Sequence, residues 1–280
     1  MSRAIVVAGA TGSIGRALTA RLRQEGRDVI GVSRTADIQL DLTAPAASWP
    51  AWPAADVTYV CVGAGGLEAC ERDPAGSRRV HVDAVTTVAR HATESGSRIV
   101  FLSSSHVFDG TRPVARVSDP RRPQTVYGRQ KAEAEIAVLA QPGAAVLRCS
   151  KIIGPGDARL GEWRTALLAG RPIEAFDDLH VAPLSIEDAV TALIGIGEAR
   201  QPGIFQLSGR DDVTYFSMAL ALAEYLVADA SLVRRTSAEA AGMPPAFRPR
   251  GVLLEPTLPQ PIDPVPLDVV IARGLERLRP

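Results

Sequence analysis

A chain of 280 residues that is 46% hydrophobic and 22% charged can bury a sizeable core and is too apolar to stay disordered. Its 31 basic and 31 acidic side chains cancel, which argues against nucleic acid or an anionic membrane surface as a partner. Three cysteines, Cys61, Cys70 and Cys149, offer neither metal-ligand spacing nor a disulfide framework, and no apolar run is long enough for a leader or a membrane span. A cytoplasmic protein without a metal is expected.

In chain order, RAIVVAG (3–9) reads as a strand and GSIGRALTARLRQEG (12–26) as a helix closed by a glycine. DVIGVSR (28–34), IQLDL (38–42) and VTYVCVG (57–63) are further strands. A helix over 74–95 has Pro74 in its first turn and Gly96 just past its end. RIVFLSS (98–104) is a strand, YGRQKAEAEIAVLA (127–140) a helix, and AAVLRCS (144–150) another strand. The near-continuous apolar runs suit parallel strands buried on both faces. This alternation predicts an α/β fold with a Rossmann-type doubly wound parallel sheet across residues 1–150.

Beyond residue 150 the pattern loosens. Segments 151–183 and 228–266 are richer in Pro and Gly, and eight prolines fall between Pro244 and Pro266. That tract excludes a regular helix or central strand and reads as a surface wrap before a final helix at 267–278. Residues 151–280 are expected to form a smaller substrate-binding subdomain, with some segments returning to the core.

GATGSIG (9–15) lies between the first strand and its helix. There a turn without Cβ atoms lets the backbone approach a pyrophosphate, and the helix start supplies N–H donors. Gly9, Thr11, Gly12, Ser13, Ile14 and Gly15 are therefore candidate dinucleotide contacts. At the end of the second strand an acidic residue would select NAD; this chain has Ser33 and Arg34, and an arginine suits a 2′-phosphate. NADP(H) is the expected cofactor, with Asp37 keeping NAD(H) open. Asp41 and Leu42 would flank the adenine, and Cys61, Val62 and Gly63 would close the fourth strand against the cofactor.

Of the 31 basic residues only Lys131 and Lys151 are lysines, and Lys131 follows Tyr127 by one helical turn. A phenol is a weak acid near pH 7, and drawing its pKa from about 10 toward 7 takes roughly 4 kcal/mol. An ammonium about 4 Å away supplies that order at an effective dielectric near 20. FLSSSHVFDG (101–110) places serine hydroxyls at the carboxyl end of a strand, where open α/β sheets bind ligands.

These motifs resemble the extended short-chain dehydrogenase/reductases, most closely the sugar-nucleotide branch typified by dTDP-4-dehydrorhamnose reductases. The resemblance also covers LDLT (40–43), ACERDP (69–74), VFDG (107–110), VYGRQKAEAE (126–135), AVLRCSKIIGPG (145–156), SIEDAV (185–190) and GIFQLSG (203–209). It implies a catalytic set of Ser104, Tyr127 and Lys131, the last two also touching cofactor. It implies reduction of a 4-keto (deoxy)sugar nucleotide by NADPH, with hydride passing to the keto carbon and Tyr127 giving the proton. Departures are His81 where the family has Asn, Lys151 where an aromatic is usual, and Ser105-His106 in place of an acidic-tyrosine pair. Ser105, His106 and Lys151 become candidate substrate contacts, with His180 a weaker one. The absent carboxylate argues against a dehydratase. An NAD-dependent sugar-nucleotide epimerase and a non-catalytic dinucleotide-binding regulatory protein stand as alternatives, and a homodimer as the assembly to test.

Overall fold

Strand and helix alternate through the first half of the chain, as the apolar runs require. A computed structural model describes residues 4–63 and 65–276; Arg3 of the first expected strand and residues 277–278 of the last expected helix lie outside that range. The order is β1 (Ile5–Ala8), α1 (Ser13–Gln24), β2 (Val29–Ser33), β3 (Ile38–Gln39), β4 (Val57–Val60), α2 (Leu67–Arg72), α3 (Pro74–Arg78), α4 (Val85–Glu94), β5 (Arg98–Ser104), β6 (Val114–Ala115), α5 (Val126–Leu139) and β7 (Ala145–Cys149). The second half adds β8 (Ile152–Ile153), α6 (Ala158–Leu168), β9 (Ile173–Phe176), β10 (His180–Val181), β11 (Leu184–Ser185), α7 (Ile186–Ala199), β12 (Gly203–Leu207), β13 (Val213–Thr214), α8 (Tyr215–Tyr225), β14 (Val233–Thr236), β15 (Leu253–Leu254) and α9 (Leu267–Gly274).

Seven strands form one sheet in the order β12-β7-β5-β4-β1-β2-β3, every pair parallel. Side chains alternate between faces, so Ile5 and Val7 of β1 join α1 and α7 in one apolar layer. Val6 and Ala8 join α4 and α5 in the other. This is the Rossmann-like doubly wound arrangement. Because β1 lies between β2 and β4, the order of strand addition reverses there, and the loops after β1 and β4 flank the crevice where such sheets take ligands. The third strand is shorter than its apolar run suggests, because Asp41 turns the chain by accepting from the Thr43 N–H and hydroxyl.

The helix expected over 74–95 is interrupted. Between α3 and α4, Arg79–Ala84 form a π-helical stretch that carries His81. Such widened turns displace a helix face without ending the helix.

A cap lies beside the carboxyl ends of the strands. Its own apolar cluster includes Leu160, Trp163, Leu167, Met218 and Leu222, and its strands pair only in twos, β9 with β14 and β10 with β13. Asp178 ties two cap segments together by accepting from Ser237 Oγ, Ala238 N and Glu239 N. Burial raises its carboxyl, but these hydrogen bonds prevail and hold it down at about 2. At the end of α8, Val227 adopts φ 54°. The proline-rich tract is an ordered wrap: β15 pairs with β6, Thr257 exchanges hydrogen bonds with Gln206, and Leu258 and Ile262 pack on the sheet core.

Candidate active site

The glycine loop closes tightly on both sides. Gly9 has φ +83°, and a Cβ there would stand 2.7 Å from the carbonyl oxygen of Cys61 on the neighbouring strand. A Cβ on Gly15 would collide with the carbonyl oxygen of Gly9. Helix α1 is thereby drawn against β1 with its first N–H groups at the crevice, from Ser13 onward. Thr11 Oγ1 donates to Ser33 Oγ at 3.1 Å, fastening the loop to the end of β2, while Ile14 packs on the core. The loop has the form a pyrophosphate requires.

Beside it, Asp37 is committed elsewhere: its carboxylate accepts from Gly31 N at 2.7 Å and pairs with Arg23. Arg34 is exposed and lies close enough to Asp41 to lower its carboxyl, after the larger effect of the Thr43 hydrogen bonds. The basic side chain, and not the acidic one, is therefore the freer group at this strand end. Leu42 packs on the second apolar layer, and Val62 is buried where β4 ends. Burial pushes the Cys61 thiol up to about 12, so it stays protonated and unreactive.

Helix α5 starts at a Thr125 cap whose hydroxyl accepts from Gly128 N at 3.0 Å. That start aims Tyr127 and Lys131 at the end of β5. Ser104, 8% exposed, accepts from His106 N at 3.3 Å and lies near enough to the Tyr127 phenol to lower its pKa. Lys131 is 4% exposed, and its Nζ donates to the Leu102 carbonyl at 3.1 Å while lying 5.9 Å from the centre of the tyrosine ring. The three residues read from the sequence as one constellation are indeed brought together.

Their electrostatics differ from the sequence expectation. Burial pushes Tyr127 up to about 12, opposed by the nearby Ser104 hydroxyl, and pushes Lys131 down to about 8. The lysine does not draw the phenol toward neutrality, because its ammonium is turned to a backbone carbonyl and desolvation outweighs its field. A phenol held near 12 keeps its proton at neutral pH and is a donor rather than a base.

Two histidine rings bracket Tyr127 edge-on, His81 at 5.3 Å between centroids and His106 at 5.9 Å. His81 is buried on the π-helical stretch, with Nε2 3.9 Å from Cys70 Sγ. Burial takes His106 down to about 4, so it is a neutral ring at physiological pH. Ser105 opens the short turn carrying His106. Lys151 projects just beyond β7, half-exposed and 4.0 Å from Asp157. His180, the weaker candidate, is engaged with Asp212 at 2.7 Å in the cap. Among the described residues no group of 3 or more His, Cys, Asp or Glu is placed to hold a metal ion, and no helix is long and apolar enough to cross a membrane.

Sequence reasoning passed over Ser103, Glu135 and Arg148, which lie directly under this site. Their one signal was a charged residue inside a buried strand, the arginine of AVLRC.

The family model described as RmlD substrate binding domain matches residues 3–258. The dTDP-4-dehydrorhamnose reductase of Mycobacterium tuberculosis is 30% identical over 246 residues, covering 84% of this chain and 80% of that protein. Methionine adenosyltransferase 2 subunit beta of Bos taurus is 28% identical over 275 residues, 91% of this chain and 80% of that one. Among solved structures, the dTDP-4-dehydrorhamnose reductase of Bacillus anthracis in complex with NADP aligns with a TM-score of 0.88 at 18% identity, over 98% of this chain and 99% of that one.

Proposed function

The chain belongs to the RmlD substrate binding domain family, and from that premise we propose that it is an NADPH-dependent reductase of a 4-keto (deoxy)sugar nucleotide. The observation that carries the reading is the part-buried Tyr127 phenol, kept protonated beside the Ser104 hydroxyl at the carboxyl end of β5, next to the glycine loop's side of the parallel sheet. A bound nicotinamide dinucleotide supplies hydride to the keto carbon. Tyr127 then gives its proton to the oxygen as negative charge develops there, and the Ser104 hydroxyl holds the same oxygen. Lys131 would hold the cofactor ribose. Gly9, Thr11, Gly12, Ser13, Ile14 and Gly15 would cradle the pyrophosphate, with Arg34 and Ser33 on the 2′-phosphate side. Asp41 and Leu42 would take the adenine, and Cys61, Val62 and Gly63 the inner wall. Ser105, His106 and Lys151 would meet the sugar nucleotide.

Purified protein mixed with dTDP-4-dehydrorhamnose should consume NADPH only when both are present, followed by absorbance and by product mass. Tight dinucleotide binding without turnover would instead favour a second reading. The 28% identity to a protein named as a subunit of methionine adenosyltransferase 2 supports that reading, a non-catalytic dinucleotide-binding subunit. The reductase reading carries with it a cytoplasmic protein with reduced cysteines and a homodimer, which native mass spectrometry would register as a doubled mass.

A further inference from the structure

Beneath the site lies a buried charge cluster that none of these roles uses. Glu135, fully buried on α5, accepts at Oε1 from Ser103 Oγ at 2.6 Å and from Arg148 Nε at 2.9 Å. Its Oε2 accepts from Arg148 Nη2 at 2.7 Å and Arg121 Nη1 at 3.3 Å. Arg148, only 1% exposed on β7, also donates to Gln206 Oε1 at 3.4 Å and covers the Phe108 ring at 4.9 Å. Gln206 Nε2 in turn donates to the carbonyls of Ala115 and Glu255, where β6 meets β15. Taking a carboxylate and a guanidinium out of water is costly, and an apolar pair of similar volume is often at least as stable. Stability alone does not account for the pair.

Register does. Tyr127, Lys131 and Glu135 follow one another at intervals of four along one face of α5. Their partners on β5 are three consecutive residues: Ser104 for the phenol, the Leu102 carbonyl for the ammonium, and Ser103 for the carboxylate. Of the first two, the ammonium makes a single hydrogen bond and the phenol only neighbours its serine, and both groups also have to serve chemistry. The third is the one locked by a two-point guanidinium fork from a neighbouring strand. We propose that Glu135, clamped by Arg148 and Ser103, is a positioning residue that fixes α5 against β5 so that Tyr127 meets Ser104 and Lys131 meets Leu102.

The kinetic arm of the test rests on the reductase reading and the spectroscopic arm does not. Because the chain holds only two lysines, Lys131 and Lys151, selective ¹⁵N-lysine labelling gives two side-chain signals, the exposed one serving as an internal control. The double variant Glu135→Leu/Arg148→Met replaces the pair by apolar side chains of similar volume and is expected to melt near the parent temperature. Its Lys131 signal should move while that of Lys151 stays. Turnover of dTDP-4-dehydrorhamnose with NADPH should fall about 10- to 100-fold in kcat, the order for an ångström-scale misplacement, with KM within about twofold. A double variant that melts like the parent and keeps both the Lys131 signal and kcat overturns the proposal. If the parent itself turns nothing over, the reductase reading fails and the Lys131 signal alone decides. Should the double variant not fold, Ser103→Ala carries the same reading: a smaller displacement of the Lys131 signal supports the clamp, and an unmoved signal refutes it.

Discussion

In the sheet, β5 runs seven residues of which six are buried, and its neighbours on both sides are parallel strands covered by helices. In the cap, the longest paired strands, β9 and β14, run four residues, β9 exposing Glu174 between buried neighbours and β14 exposing both Arg234 and Arg235. The sheet region keeps its polar groups inside and pairs them, as Glu135 and Arg148 show. The cap keeps its polar groups at the rim, as Asp178 does in gathering backbone N–H groups. Chemistry that needs atoms held in place gathers at the end of the first region. The second holds its own apolar cluster.

The largest expected separation is catalytic. Tyr127→Phe removes the proposed proton donor and keeps the ring, so kcat should fall by 10²–10⁴, about 3–5 kcal/mol, while the melting temperature and dinucleotide affinity hold. Turnover within about threefold of the parent would move the acid elsewhere, with His106 the residue to test next. Next comes packing. Leu160 is fully buried in the cap, and Leu160→Ala should cost about 2–5 kcal/mol in denaturant unfolding. If the cap cluster is energetically its own, NADPH affinity measured by fluorescence in buffer should survive that change. The same truncation at Leu18, on α1 behind the glycine loop, should weaken NADPH as well.

Two smaller effects sharpen the contrast. Arg34→Ala should lower NADPH affinity about tenfold, roughly 1.4 kcal/mol, and leave NADH alone; equal losses for both would remove Arg34 from the 2′-phosphate. In the cap, Val227 occupies the left-handed position that follows α8, with its N–H bonded to Glu224 O and that of Ala228 to Ala223 O. A β-branched residue there is strained and this one is 94% exposed, so Val227→Gly should raise stability by about 0.5–1 kcal/mol. A lower melting temperature would show that the side chain has a partner.

The same contrast explains what could be read in advance. β1, β2, β4, β5 and β7 announce themselves because strands buried on both faces are apolar at nearly every position. Helix α1 announces itself because glycines fence both ends. The glycine loop and the Tyr127–Lys131 pair were legible because each is a local spacing. The short strands of the cap have too few residues to show a period, and α2, α6, α7, α8 and the edge strand β12 are absent from the sequence reading. The π-helical stretch at His81 left no trace, since one widened turn does not disturb the apolar pattern of 74–95. Glu135 has no local signature, because the guanidinium that buries it comes from a strand with no helical spacing to it. The phenol's upward shift was missed for the same reason: its burial is set by residues far along the chain.

The sheet's last strand has a consequence for how the molecule comes into being. β12 lies at residues 203–207, beyond the whole of α6 and α7, yet it pairs with β7 along its full length and brings Gln206 to Arg148. A ribosome adding about 5–20 residues per second reaches it seconds after completing β7. During that interval the nascent sheet presents an open parallel edge with an arginine in it, the kind of surface that pairs with strangers. The carbonyl of Glu255 and the hydroxyl of Thr257 arrive later still. Synthesis must therefore run past residue 257 before the ground under the active site is closed.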